Sequence, residues 1–362
     1  MDLSIDLCGI RLKSPLIVGS GPISYGAEGM IRAFNHGAGA VVTKTIRDQA
    51  ADNPFPHIAL SDAKSLVNAE KWSDFPARQW IDQEIPRAKA AGVVVIGSIG
   101  YTPEAVDHWI CDVDRAGADM IELVSYREET IREMVVRAKR LTDKPVFVKI
   151  SPNWPDAVSA AIDTLRLGVD GITAMDSLGP VLRIDIKTGR PMLGGAHGEG
   201  WLSGAAIKPI ALSYVAEIAA KTDKPIIGLG GVMNAEDAVE MMMAGASAVG
   251  VCSYPIIRGT KALGTLNKKI ISLAEKLGFS SLSEISGYSQ PYLRSGENST
   301  KFSFSYNPDI CTECGRCVTV CPYEARSMVG RQMNLDRSMC RYCGLCVTAC
   351  PTGALSRSEV TG

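Results

Sequence analysis

Eight short apolar runs, separated by stretches of helical periodicity, constrain most of this 362-residue chain to one kind of fold. The runs are Leu16–Ser20, Ala40–Thr45, Val93–Ile99, Met120–Ser125, Val146–Ser151, Gly171–Met175, Ile226–Gly230 and Ala248–Ser253. Between them, Glu28–Asn35, Pro103–Ala116, Glu129–Leu141, Asp156–Leu167, Ile210–Ala220 and Ala235–Met243 read as helices. Strands alternating with helices imply parallel pairing through crossovers. Eight such units spread over about 240 residues fit a (β/α)8 TIM barrel. An open doubly wound sheet would carry a Gly-x-Gly-x-x-Gly turn after its first strand, and none is present. Several helices end at glycine before the next strand (Gly37, Gly117, Gly168 and Gly245), where a left-handed C-cap is needed. Ahead of the barrel, residues 1–14 alternate about Gly9 as a short hairpin. Residues 260–286 extend the last helical unit, and two long loops, 46–82 and 177–206, follow the second and sixth runs. The second of these carries a turn at Lys187-Thr188-Gly189-Arg190 that predicts a hairpin. Long loops in compact domains are usually functional.

The tail is organised by cysteine. Cys311-x-x-Cys314-x-x-Cys317-x-x-x-Cys321-Pro322 is repeated as Cys340-x-x-Cys343-x-x-Cys346-x-x-x-Cys350-Pro351, so eight of the eleven cysteines share one spacing. This is the run of two-cluster bacterial ferredoxins, in which the fourth cysteine of each run ligates the other cluster. It assigns Cys311, Cys314, Cys317 and Cys350 to one [4Fe–4S] cluster, and Cys340, Cys343, Cys346 and Cys321 to a second. Structural disulfides suit small secreted domains, and zinc sites seldom repeat a triple step followed by Cys-Pro. The predicted class is therefore α/β: a TIM barrel with its hairpin over 1–286, a linker over 287–308, and a small α+β ferredoxin-like 2[4Fe–4S] domain over 309–362.

Charge excludes several functions. Lys and Arg number 38 against 39 Asp and Glu, which leaves no basic stripe for nucleic acid or an anionic membrane. No apolar run approaches the ~20 residues that span a bilayer, and the N-terminus lacks a signal-peptide core. Free thiols in this number predict a reducing, cytoplasmic setting.

In such barrels chemistry sits where strands end. Gly228-Leu229-Gly230-Gly231 closes the seventh run and Gly250-Val251-Cys252-Ser253 the eighth, which is the usual barrel phosphate position. Lys44 and Lys149 end the second and fifth runs. A lysine there is rarely filler, since lysine is almost never buried unpaired. Together with Gly19-Ser20-Gly21, Asn53-Pro54-x-Pro56, Asn68, Lys149-x-Ser151-Pro152-Asn153 and Ser203-Gly204-x-Ala206-Ile207-Lys208-Pro209, these residues give the chain its likeness. The barrel resembles dihydroorotate dehydrogenase. With its two-cluster tail it is similar to the pyrimidine-reducing part of dihydropyrimidine dehydrogenase.

The resemblance implies FMN. It places Gly19, Ser20, Gly21 and Ser98 near the isoalloxazine, with Lys44, Thr45 and Lys149 along its polar edge. Asp176 and Ser177 would lie beside the ring, and Gly204, Gly230, Gly231, Cys252 and Ser253 around the phosphate. Asn68 would face substrate. The fourth strand departs from the family pattern Glu-Leu-Asn-Leu-Ser-Cys-Pro and reads Glu122-Leu123-Val124-Ser125-Tyr126-Arg127-Glu128. Without gaps, Val124 takes the place of a substrate-binding asparagine and Arg127 that of the acid-base residue. A later Asn-Thr pair has become Asp176-Ser177. Valine offers no hydrogen bond and an ionised aspartate only accepts, so a pyrimidine edge is no longer matched. Arg127 holds its proton too tightly to donate it, with a pKa above ~12, but suits a carboxylate or phosphate. Tyr126 is the candidate acid and Ser125 its substitute. His197, in a glycine-rich part of the sixth loop, is a minor candidate.

The expected function is an FMN- and [4Fe–4S]-dependent oxidoreductase that reduces or forms an activated C=C or C=N bond of a small molecule. Tyr126, Ser125 and Lys149 are its candidate catalytic residues, and Asn68, Arg127 and Asp176 bind substrate. No nucleotide-binding glycine motif is evident, so an FAD- and NAD(P)H-binding flavoprotein subunit, or a ferredoxin, is the expected electron partner in a homo- or hetero-oligomer. Two alternatives stand beside this: an electron-transfer subunit without its own substrate chemistry, and dihydropyrimidine or dihydroorotate dehydrogenase proper.

Overall fold

The eight predicted strands form, each paired in parallel with the next in the chain, and the eighth closes on the first. In chain order they are Leu16–Val18, Ala40–Val42, Val95–Gly100, Met120–Val124, Val146–Lys149, Gly171–Ala174, Ile226–Leu229 and Ala248–Val251. Most stop a residue or two short of the apolar run that predicted them. The released residues, among them Ser20, Lys44, Thr45 and Met175, become the barrel's upper rim. The computed structural model describes residues 1–294 and 302–359. They divide into two compact units, Met1–Arg294 and Ser295–Gly362.

The barrel is closed from below by the predicted hairpin, Ile5–Leu7 with Ile10–Leu12. Its turn is Cys8-Gly9, both at positive φ, the geometry of a tight two-residue hairpin. Leu7 and Leu12 are fully buried against Ile17, Val42, Met120 and Phe147 inside the barrel floor. Large and small residues alternate there. A Cβ on Gly171 would stand 2.3 Å from the Phe147 ring, so the glycine is what admits the phenylalanine. Outside the strands, helices such as Pro103–Arg115 and Ala235–Met243 begin at capping side chains, Thr102 accepting from the Ala105 N–H and Asn234 from the Asp237 N–H. Among the described residues no helix is long and apolar enough to cross a membrane.

The two long loops hold structure that the sequence pattern did not reveal. Ile58–Asp62 and Ser65–Asn68 from the first join Leu178–Leu182 and Glu199–Gly204 from the other in a four-stranded antiparallel sheet. The predicted turn at 187–190 is present too, as a small ladder between Ile184–Asp185 and Arg190–Pro191.

In the second unit the sequence repeat becomes a structural one. Short helices Arg316–Thr319 and Leu345–Thr348 each follow a left-handed glycine, Gly315 and Gly344. Phe302–Tyr306 pairs with Leu355–Glu359, and Arg326–Val329 with Gln332–Leu335. The stretch 287–308, read from composition as a linker, contains the helix Gln290–Arg294 and the strand Phe302–Tyr306. Its residues 295–301 lie outside the described ones.

Candidate functional site

A cavity of about 1080 Å³ opens at the C-terminal ends of the barrel strands. Ser20, Gly21, Lys44, Thr45, Asn68, Tyr126, Lys149, Asp176, Ser177, Gly204, Gly230, Gly231, Cys252 and Ser253 all line it.

On the side of strands six to eight the lining is mostly bare backbone. Gly204, Gly230 and Gly231 have positive φ. A Cβ on Gly231 would sit 2.5 Å from the Lys208 Cβ, and one on Gly204 would sit 2.3 Å from the Lys64 carbonyl. Across from them, a Cβ on Gly21 would meet Cys252 Sγ at 2.7 Å. Ser253 Oγ donates to Ser203 Oγ at 2.9 Å. Burial pushes the Cys252 thiol up to about 11, against the opposing pull of Lys149.

The two lysines are buried and matched. Lys149 Nζ lies 2.9 Å from Asp176 Oδ1. Burial alone would lower its pKa, but the Asp176 and Glu122 carboxylates outweigh burial and raise it, so it stays charged. Glu122 lies within the barrel, fully buried, accepting from Thr173 Oγ1 at 2.9 Å, with Oε1 unpartnered. Burial raises its pKa. Lys44 Nζ is 2.6 Å from Glu70 Oε2, and both side chains are nearly inaccessible. Asn68 holds Glu70 in place, its Oδ1 accepting from the Glu70 N–H at 2.6 Å.

On the side of strands two to four the lining is aromatic. The Tyr126 ring stacks between Trp72, at 5.3 Å, and Trp201, at 5.2 Å. Arg47 lies over the Trp72 ring at 4.6 Å and the Tyr101 ring at 5.0 Å, and those two rings are 4.2 Å apart. Burial first, and the Asp176 carboxylate second, raise the Tyr126 phenol well above its ordinary value.

Five expected residues do not reach the cavity lining. Ser125 is buried and turns its hydroxyl to the Tyr101 carbonyl at 3.3 Å, while accepting from the Arg127 N–H. Arg127 is exposed and serves as N-cap of the helix Glu128–Leu141. The physical reason is the strand end: the chain leaves the barrel at Val124, and only Tyr126 of the next three points inward. Ser98 is buried beneath the rim against Thr45 Oγ1 at 3.2 Å, and Gly19 lies behind Leu229. His197 is exposed and outside the cavity. Conversely, Glu70, Trp72 and Trp201 were not anticipated. The usable signal was two tryptophans in polar loops, where so large an apolar residue rarely stands without a partner.

In the second unit, Cys311, Cys314, Cys317 and Cys350 line one cavity of about 300 Å³. Cys321, Cys340, Cys343 and Cys346 line another of about 300 Å³. Among the described residues no three His, Cys, Asp or Glu converge on a single metal ion. Thiols spread around a void fit a polynuclear cluster and not a mononuclear site. The halves match in detail: Glu313 and Tyr342, both at positive φ, direct their N–H groups at Cys311 and Cys340 Sγ at 3.4 Å.

Comparison with known proteins gives two family matches. The Dihydroorotate dehydrogenase model matches residues 118–273, and the 4Fe-4S dicluster domain model matches residues 303–351. The chain is 34% identical over 305 residues to the dihydroorotate dehydrogenase B (NAD(+)) catalytic subunit of Pyrococcus horikoshii, covering 79% of this chain and 97% of that one. The protein of the same name from Pyrococcus furiosus is 33% identical, covering 80% and 99%. That from Methanothermobacter thermautotrophicus is 31% identical, covering 79% and 97%.

Proposed function

Because the chain belongs to the dihydroorotate dehydrogenase family, we propose that it is an FMN- and iron–sulfur-dependent oxidoreductase that reduces an activated double bond of a small molecule. The observation that carries this is a single cavity with a backbone cradle on one side, two charged lysines at its centre and a proton-bearing phenol opposite. The residues present fit FMN. Gly204, Gly230 and Gly231, where packing against Lys64, Ala211 and Lys208 admits no side chain, leave bare main chain for a phosphate beside the Ser253 hydroxyl, and Lys149 and Lys44 suit the electron-rich edge of an isoalloxazine. FMN supplies the conversion between two-electron and one-electron chemistry. The eight cysteines would hold two [4Fe–4S] clusters in the sets that line the two cavities of the second unit.

Lys149, kept charged by Asp176 and Glu122, stabilises negative charge on the bound cofactor edge. Tyr126 carries the proton at Oη. A phenol is protonated through neutral pH, and the raised pKa of Tyr126 keeps it so, which leaves a proton available for donation to substrate. Trp72 and Trp201 hold the ring in place and keep water from its faces.

The relatives are named for dihydroorotate, a carboxylate. In this cavity the lysines are the only cations among the described lining residues, and each already faces a carboxylate of the protein. An anionic ring finds no unpaired charge, so an uncharged substrate bearing N–H groups fits better. Since those relatives are catalytic subunits, an electron-transfer subunit or a ferredoxin is the expected partner.

The test is anaerobic purification with FMN, a visible spectrum, and reoxidation of the reduced protein by uncharged and anionic unsaturated rings. Flavin and cluster absorption with reoxidation by the uncharged set supports the proposal. Absence of flavin bands overturns the cofactor. Reoxidation by a protein acceptor alone favours the electron-transfer alternative.

A further inference from the structure

The two halves of the cysteine unit repeat every 29 residues, Cys311 onto Cys340 and Cys321 onto Cys350. The repeat sets Ala325 against Ala354 and Arg326 against Leu355. Ala354 and Leu355 close one cavity, and Ala325 and Arg326 close the other. Leu355 is 2% exposed and Arg326 only 5%. A buried guanidinium therefore stands where the symmetry mate is a hydrocarbon.

Its partners are few. The guanidinium lies over the Phe304 ring at 4.4 Å, and NH1 approaches Met333 Sδ at 3.4 Å. NH2 is buried without a hydrogen-bond partner. Among the described residues, no aspartate or glutamate lines that cavity. Burying an unpaired cation is expensive, and the cost is met only by an anion nearby. Each cavity also has one arginine at its exposed edge, Arg316 at the first and Arg341 at the second. Those two are not symmetry mates, Arg316 standing against Leu345 and Arg341 against Thr312, but both face water, where their charge is screened. The uncompensated difference is Arg326.

Resting on the assignment of two clusters to these cavities, we propose that Arg326 makes the clusters inequivalent. It would charge-pair with the cluster held by Cys321, Cys340, Cys343 and Cys346 and raise that cluster's reduction potential above its neighbour's. A cube bound by four thiolates is anionic and gains one more negative charge when it takes an electron. A buried cation with a free N–H stabilises the reduced state more than the oxidised one. The second cluster is then where a single electron rests. Its charge also reaches Cys317 of the first cavity, so the asymmetry is one of degree.

The experiment is a potentiometric titration of the full chain, reconstituted anaerobically with ferrous iron and sulfide, followed by electron paramagnetic resonance. Dithionite supplies the electrons. Wild type should show two separable one-electron waves, and Cys343→Ser, which alters a ligand of the second cluster only, should change the upper one. Arg326→Leu, which installs the symmetry mate, should move the upper wave down towards the lower. At the wild-type midpoint the reduced-to-oxidised ratio should fall at least tenfold, which is about 59 mV for one electron. Arg326→Lys should restore most of the separation. Coincident waves in wild type overturn the proposal, as does an unmoved upper wave in an iron-replete Arg326→Leu protein. If Arg326→Leu fails to load iron, the wild-type separation and the Lys variant still decide. The readout does not depend on flavin or substrate, so failure here is distinct from failure of the proposed reaction. Protein that takes up no clusters overturns the assignment itself.

Discussion

On the side of barrel strands six to eight, the cavity is lined by main chain exposed through glycines; on the side of strands two to four, it is lined by side chains delivered from loops. The first surface is fixed by sterics, because Gly204 and Gly231 have no room for any other residue. The second is a stack of Trp72, Tyr126 and Trp201 together with a paired Glu70 and Lys44, held by side-chain contacts and not by a steric ban on other residues. Under the proposed function, cofactor recognition and substrate recognition would be separate problems in this barrel, solved by different parts of the polypeptide.

Substitutions on the two sides should therefore fail differently. Gly231→Val should have the largest effect. It forces a branched residue into a positive φ, a strain of about 1–3 kcal/mol before the clash with Lys208. Flavin content after purification with FMN should collapse, whereas retention of full flavin absorbance would break the comparison. Lys149→Met should keep flavin but slow its reduction and reoxidation by roughly a hundredfold, the scale of losing one preorganised charge. Stopped-flow absorbance measures this directly. Glu70→Gln acts on the other side: it leaves Lys44 unmatched and should raise affinity for an anionic ring such as orotate by about tenfold, worth ~1.4 kcal/mol. Calorimetric titration showing no gain would remove the argument for an uncharged substrate. Tyr126→Phe should lower turnover by about tenfold with flavin content and stacking unchanged. The smallest effect concerns Cys252. A thiol raised to about 11 is mostly protonated below that pH, so its thiolate is scarce at pH 8 and grows as pH climbs. In flavin-free protein, iodoacetamide labelling at this residue at pH 8, followed by mass spectrometry, should be more than about a hundredfold slower than for a free cysteine.

What could be read from sequence follows the same division. The barrel strands are apolar on both faces and joined by capped helices, so local pattern was enough to find all eight. Backbone-lining glycines and strand-end lysines occupy fixed offsets from those strands, and they were legible for that reason. The antiparallel sheet was not, because its strands are short and its central pairing joins residues more than a hundred apart: Ser65 pairs with Gly204. Glu70, Trp72 and Trp201 owe their positions to that non-local pairing. Arg127 illustrates the opposite error. Counting along the fourth strand without gaps assumes that the chain continues straight, but it turns into a helix whose N-cap is Arg127 itself.

The antiparallel sheet also limits how this cavity can change. Leu66, Asn68, Trp201 and Ser203 line the cavity, while Val67 and Leu202, between them, do not. Asn68 is the register partner of both Trp201 and Ile58. A pleated strand shows alternate residues to alternate sides, so inserting or deleting one residue in 65–68 would exchange the whole set that meets the ligand. Length changes here work by parity. Steps of two keep the cavity-facing set, and single steps rewrite it.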